Sequence, residues 1–210
     1  MKLSAIQRLG GISIIIGAIL LTLWTICWTF LLPISERSRD VSVLIVNQNW
    51  IWISSASLFG VIFMIFGFTA AYSRMYHKVG ISGLVGFLFV ILAYIFQAAK
   101  ITWEIFIYPV LAENSSSIFL LRDKVLLVNP LVILFKWLSV VSIFVGVVLF
   151  CISLIRSKEF PILAGYAVLC GAILYGIGPM IQIYLAIIGV LILSLGCFFI
   201  GYRMLSQQGE

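Results

Sequence analysis

Residues 80–112 read GISGLVGFLFVILAYIFQAAKITWEIFIYPVLA, an apolar run whose only amide or charged side chains are Gln97, Lys100 and Glu104. A helix needs about 20 consecutive, mostly apolar residues to cross the hydrocarbon core of a bilayer. The run exceeds that length, and it lacks the alternation of apolar and polar residues that marks a strand of a membrane barrel. We therefore expect a membrane-spanning helix, with three polar groups towards its far end.

Similar runs recur along the chain, which has 210 residues, 63% of them hydrophobic and only 10% charged. Its mean hydropathy is +1.23. The few polar groups could not cover the surface of a soluble domain of this size. The pattern predicts an all-α, polytopic membrane protein, a bundle of six transmembrane helices in a single domain over residues 1–210. The predicted spans cover residues 10–32, 50–72, 80–108, 131–155, 161–178 and 180–204.

The basic residues predict the orientation of this bundle, because cytoplasmic loops carry an excess of Lys and Arg. With a cytoplasmic N-terminus, the inner segments hold Lys2, Arg8, Arg74, Lys78, Arg156, Lys158 and Arg203. The outer segments hold Arg37, Arg39, Arg122 and Lys124, balanced by Glu36, Asp40, Glu113 and Asp123. We therefore expect both termini in the cytoplasm and the protein in the plasma membrane. The net charge of +6 then reflects topology and contact with anionic lipid headgroups, not nucleic-acid binding.

Tryptophan follows the same polarity. In this topology all six indoles lie towards the outer side: Trp24, Trp28, Trp50, Trp52, Trp103 and Trp137. One interpretation is an aromatic belt at the level of the lipid headgroups. Belts usually form at both interfaces, however, so the alternative is that some of these indoles line an outward-facing cavity.

The connections between spans differ in character. Residues 34–49 and 113–130 contain short apolar pieces beside charged groups, which predicts segments lying at the outer membrane surface. In GIGPM, residues 176–180, Pro179 and the neighbouring glycines predict a tight turn between the last two spans. Glycines spaced by seven residues predict close contacts between helices. These are Gly10, Gly17, Gly60, Gly67, Gly189 and Gly196.

Lys100 and Glu104 are the most informative polar residues. They are four residues apart, so they share a helix face and can pair, with Gln97 one turn earlier on the same side. Together with Trp103 and with Lys136 in the next span, they predict a polar pocket in the outer leaflet that suits a small anion or a lipid headgroup. The structural alternative is a glutamate that holds helices together through Lys100, with Lys136 at the headgroups.

The sequence does not contain the residue patterns that haem, metal or disulfide chemistry requires. The one histidine, His77, lies in a basic inner loop and excludes bis-histidine haem and multi-histidine metal sites. Four cysteines, Cys27, Cys151, Cys170 and Cys197, fall in apolar spans without C-x-x-C spacing, which is typical of small core residues. We expect no catalytic residue, metal or cofactor, and no enzymatic activity.

The run from Glu104 to Ala112, EIFIYPVLA, resembles an E-x-F-x-x-P-V-L-A element of uncharacterised small six-span bacterial integral membrane proteins. The glycine-rich entry to the third span and the close hairpin of the last two spans are similar to theirs as well. The resemblance implies a multi-pass bacterial inner-membrane protein without assigned activity, and it transfers no catalytic residue.

Two function hypotheses remain from the sequence. The first is a membrane protein that binds or transports a small anionic or amphipathic molecule through an outward-facing pocket. In it, Lys100 and Lys136 hold the anionic group, while Glu104 orients Lys100 or accepts a proton. The second is an accessory or structural subunit that packs against a larger membrane protein and has no ligand of its own.

Overall fold

The computed structural model describes residues 3–32, 41–114, 116–123, 125 and 128–206. These residues form helices joined by turns, and none of them lies in a β-strand. In chain order the helices are α1 (Leu3–Leu31), α2 (Val41–Ile45), α3 (Trp50–Phe106), α4 (Tyr108–Glu113), α5 (Phe119–Arg122), α6 (Pro130–Ser157), α7 (Ile162–Ile181) and α8 (Ile183–Ser206). Five helical segments are long and apolar enough to cross a membrane, which confirms a multi-pass helical membrane protein.

The segment α3 consists of two helices that meet at Gly80, where the chain folds back on itself. This residue has φ 58° and ψ −158°, outside the helical region. A straight helix would place Trp50 and Glu104 roughly 80 Å apart. Instead the indole Nε1 of Trp50 donates a hydrogen bond to the carbonyl oxygen of Glu104 at 2.8 Å. The first arm of α3 (residues 50–79) and the second arm (residues 81–106) are therefore antiparallel neighbours.

Aromatic contacts join the two arms along their length. The rings of Tyr72 and Phe87 stack with centroids 4.3 Å apart, and Phe68 stacks on Tyr94 at 5.8 Å. The predicted second span ended at residue 72, followed by a loop. The predicted loop is wrong, since the chain stays helical to the bend at Gly80 and the exposed His77 lies on the helix. A glycine permits this bend because a positive φ carries no steric cost without a Cβ.

Glycines bring the helix backbones together, as their spacing predicted. A Cβ on Gly67 would lie 2.8 Å from the Cα of Ile14, where α1 packs on the first arm of α3. At the crossing of the second arm with α6, a Cβ on Gly86 would lie 2.6 Å from the backbone nitrogen of Phe150. The hydroxyl groups of Thr22 and Ser194, 2.7 Å apart, add a polar contact between α1 and α8.

The last two helices meet at a turn that differs from the predicted one. Pro179 lies inside α7, and the break falls at Gln182, whose extended backbone has φ −155° and ψ 133°. The amide of Gln182 donates to the carbonyl of Gly178 at 2.8 Å and closes the last turn of α7. Predicting the turn at Pro179 was wrong because a proline removes only one donor, and the helix here continues past it for two residues.

The bundle has two chemically different ends. At the basic end, Glu159 forms ion pairs with Arg74 and Lys78, and Arg74 also donates to the carbonyl of Arg203 at 3.3 Å. These hydrogen bonds, from Lys78 first, lower the pKa of Glu159, although partial burial opposes them. The predicted orientation also used Lys2, Glu36, Arg37, Arg39, Asp40 and Lys124, which lie outside the described residues.

At the opposite, capped end, the short helices α2, α4 and α5 cover the bundle. Their apolar side chains form a buried cluster with the ends of α1 and α3, comprising Leu32, Leu44, Ile45, Trp50, Ile53, Tyr108, Ala112 and Leu121. The two predicted surface segments therefore do contain short helices, and these pack onto the protein through their apolar residues.

Candidate functional site

The predicted pair of Lys100 and Glu104 lies near the capped end of the second arm of α3. The Nζ of Lys100 is 3.1 Å from Oε1 of Glu104, so the two side chains form an ion pair. The pair is asymmetric, because the lysine side chain is 56% exposed while the glutamate side chain is only 10% exposed. The carboxylate is thus held inside the protein, and the ammonium faces outwards.

Trp50 explains why Glu104 is buried. Its indole is 2% exposed and bonds to the Glu104 carbonyl, so the start of the first arm covers this turn of the second arm. Trp50 also contacts Trp28 at 5.3 Å between ring centroids, and Trp28 contacts Trp24 at 5.6 Å. This row of indoles joins α1 to the first arm of α3, and the bond from Trp50 to the Glu104 carbonyl joins the two arms.

An outer cavity of about 290 Å³ lies beside Lys100, between the second arm of α3 and the start of α6. Its wall is formed by Ala99, Lys100, Trp103, Tyr108, Leu131, Val132 and Phe135. Lys100 is the only charged residue among the described residues that line it. The start of α6 is fixed by Asn129, whose side-chain oxygen accepts a hydrogen bond from the Leu131 amide at 2.9 Å. The outer cavity thus combines one ammonium, two amphipathic aromatic rings and an apolar wall.

A central cavity of about 250 Å³ lies deeper in the bundle. All the long helices contribute to its wall, with Trp24 from α1, Ser57 and Tyr94 from the two arms of α3, Ser139 from α6, Tyr175 from α7 and Leu193 from α8. Its lining is otherwise mostly aliphatic and aromatic. No charged side chain is found among the described residues around it.

The five predicted site residues are divided between these features. Lys100 and Trp103 line the outer cavity, and Glu104 pairs with Lys100. Gln97 instead lines the central cavity. Lys136 is exposed and is not among the described residues that line either cavity.

The tryptophans differ in their surroundings. Trp24 lines the central cavity and Trp103 the outer one. Trp52 and Trp137 are strongly exposed, and the aromatic belt at the headgroups stays a prediction.

Sequence reasoning missed Tyr108 and Phe135 in the outer cavity and Ser57 and Tyr94 in the central one. Tyr108 lies in the EIFIYPVLA element, directly before Pro109 and at the break between α3 and α4. This proline was the one sequence signal that the helix changes direction there. For Phe135, Ser57 and Tyr94 the sequence gives no such signal, because an isolated serine or aromatic residue in an apolar run does not indicate a cavity.

Among the residues with described positions, no group of three or more His, Cys, Asp or Glu side chains comes together as metal ligands would. At the basic end, Arg74 and Lys78 are both engaged by Glu159.

The chain was also compared with known proteins. No protein-family model matches it, and no curated protein or solved structure is significantly similar to it. The resemblance of the EIFIYPVLA element to small bacterial membrane proteins therefore stays a prediction.

Proposed function

We propose that the chain crosses the plasma membrane of a bacterium six times, with the basic end and both termini in the cytoplasm. In this topology each arm of α3 is a separate span, since each exceeds the roughly 20 residues that a crossing needs. The antiparallel contacts of Trp50 with Glu104 and of Tyr72 with Phe87 support this arrangement. Reporter fusions after Lys78 and after Asp123 should report opposite sides, and a shared side would exclude it.

Within that topology, the function we propose is binding or transport of a small amphipathic molecule with an anionic group, taken up at the outer cavity. The single observation that carries the proposal is that Lys100, whose side chain is half exposed, lines an otherwise apolar cavity near the capped end. Pockets for small molecules are mostly apolar, with a few placed polar groups that orient the ligand.

The geometry divides the ligand into two parts. The exposed side of the Lys100 ammonium can receive a carboxylate or phosphate, and Glu104 fixes the lysine from the buried side. The apolar part of the ligand then contacts Leu131, Val132 and Phe135. Because Glu104 already balances one charge, the pair favours a ligand with a single anionic group over a multiply charged metabolite.

Quenching of tryptophan fluorescence by 12-bromododecanoate, a brominated fatty acid, tests this proposal. Trp103 lies on the cavity wall, so replacing it by phenylalanine should remove the saturable part of the quenching. Lys100→Gln should raise the half-saturating concentration about tenfold, the value of a charge-assisted hydrogen bond reduced for its exposure. Lys136→Gln is the matched control and should leave the curve unchanged.

The proposal is wrong if the wild type shows no saturable quenching beyond that of protein-free detergent micelles. It is also wrong if Lys100→Gln and Lys136→Gln shift the curve equally, because the lysines would then act only through surface charge.

A further inference from the structure

The central cavity is large enough to hold a small molecule, and Lys100 does not line it. Its walls come from α1, both arms of α3, α6, α7 and α8, so it lies at the centre of the bundle. Its volume of about 250 Å³ exceeds the roughly 150 Å³ at which a dry apolar cavity in a protein takes up a benzene ring. A molecule containing one ring or a short chain therefore fits inside.

One polar group in this cavity lacks a partner. Ser57 is 1% exposed, and its hydroxyl has no hydrogen bond within the described part of the chain. A buried hydroxyl without a partner costs free energy, so native structures rarely keep one without a use. Helical serines commonly bond to the carbonyl four residues earlier, as the threonines Thr22, Thr25 and Thr29 do here. Ser57 departs from this habit and lines the cavity.

Two residues of the cavity wall are exposed, Val140 on α6 and Gly176 on α7. A Cβ on Gly176 would meet nothing within 4 Å, so the space beside it is open. An opening between Val140 and Gly176 would face acyl chains in a membrane, so that a lipid-soluble molecule could enter sideways without crossing an aqueous phase.

From these observations we propose that the central cavity binds an uncharged, lipid-soluble molecule that bears a hydrogen-bonding carbonyl or hydroxyl group, entering from the bilayer between α6 and α7. Ser57 hydrogen-bonds the polar group of this ligand, and the amide of Gln97 lies on the same wall. The absence of charged groups among the described lining residues selects against ions, because an ion loses its hydration there without compensation. This ligand class differs from the anionic one proposed for the outer cavity.

Two fluorinated probes that differ by one hydroxyl group test the proposal by ¹⁹F NMR on the full chain in detergent micelles. The probe 4-fluorobenzyl alcohol carries a hydroxyl group, and 4-fluorotoluene does not. We expect saturable binding of both beyond that of empty micelles, with the alcohol bound more tightly. Ser57→Ala should weaken binding of the alcohol roughly three- to tenfold, the value of one hydrogen bond, and leave the toluene unchanged.

Ser54→Ala is the matched control. Ser54 is also 1% exposed with an unbonded hydroxyl, but it does not line the cavity, so its loss should affect neither probe. Gly176→Phe places a ring in the open gap between α6 and α7 and should weaken binding of both probes.

The proposal is overturned if neither probe binds saturably to the wild type. Equal effects of Ser57→Ala and Ser54→Ala on the alcohol would overturn it as well, since Ser57 would then have only a structural role or a bound water. Lys100→Gln should leave both probes unaffected, so failure of the outer-cavity proposal and failure of this one are separable.

Discussion

Replacing Lys100 by methionine removes the ammonium but keeps a side chain of similar length, and it leaves the buried Glu104 carboxylate without its partner. The two charged atoms are 3.1 Å apart. Coulomb's law at that distance gives roughly 1.3 kcal/mol in water and roughly 5 kcal/mol at an effective dielectric constant of 20. Because half of the lysine is in contact with solvent, while the glutamate is not, the coupling should lie between these limits, at about 2 kcal/mol.

A double-mutant cycle isolates this coupling. Lys100→Met alone should lower the free energy of unfolding by about 2 kcal/mol, because an uncompensated carboxylate stays buried. Glu104→Gln, which removes the charge but not the shape, should cost about 1 kcal/mol. The double variant should be about 2 kcal/mol more stable than the sum of the two losses predicts.

The assay is thermal unfolding of the purified chain in a mild detergent, followed by circular dichroism. For a chain of this size, 2 kcal/mol corresponds to a fall in Tm of roughly 4–8 °C. Lys136→Met is the control, since Lys136 is exposed and has no ion-pair partner among the described residues. Additive losses for Lys100 and Glu104, within about 0.5 kcal/mol, would refute the reasoning and make the pair an ordinary solvated contact.

Three glycines given the same change to alanine should not all respond alike in unfolding assays, because only two of them should lose stability. Gly80→Ala should cost about 1–3 kcal/mol through backbone strain alone, since its Cβ meets nothing within 4 Å. Gly86→Ala should cost about 1–3 kcal/mol by pushing apart the second arm of α3 and α6, whereas Gly176→Ala should be neutral or stabilise by up to about 1 kcal/mol. Equal losses at all three would contradict these explanations. The pKa of Glu159 is lowered in the folded state, so ionised Glu159 stabilises the fold at pH values above about 4.3, the pKa of a free carboxylate. This stabilisation is lost as the pH falls through the lower pKa that Glu159 has in the folded state. The Tm of Glu159→Gln should therefore lie below the wild-type value at pH 7 and approach it below about pH 4; a constant difference would remove the ionised pair as the cause.

The candidate site was only partly visible in the sequence. The i,i+4 spacing of Lys100 and Glu104 predicted an ion pair, because spacing along one helix sets which side chains share a face. The rotation of each helix about its axis decides whether Gln97 or Lys136 lines a cavity. The residue pattern of one helix does not determine that rotation, because it depends on the neighbouring helices. The sequence grouped both with Lys100, whereas Gln97 lines the central cavity and Lys136 lines neither.

The helical, multi-pass character of the protein follows from the sequence alone. In a bilayer every backbone polar group must be satisfied internally, so long apolar runs have to become helices regardless of what they touch. Seven-residue glycine spacing likewise indicated the close helix contacts, since a missing side chain allows two backbones to approach wherever the helices cross.

Only the tertiary structure decided the bend at Gly80, the turn at Gln182, the cap made by α2, α4 and α5, and the two cavities. These features depend on contacts between residues distant in sequence, such as the Trp50 indole with the Glu104 carbonyl. In a chain whose side chains are nearly all apolar, hydrophobicity does not distinguish the lipid-facing surface from the interior. Shape and close packing make that distinction, and they exist only once the helices are assembled.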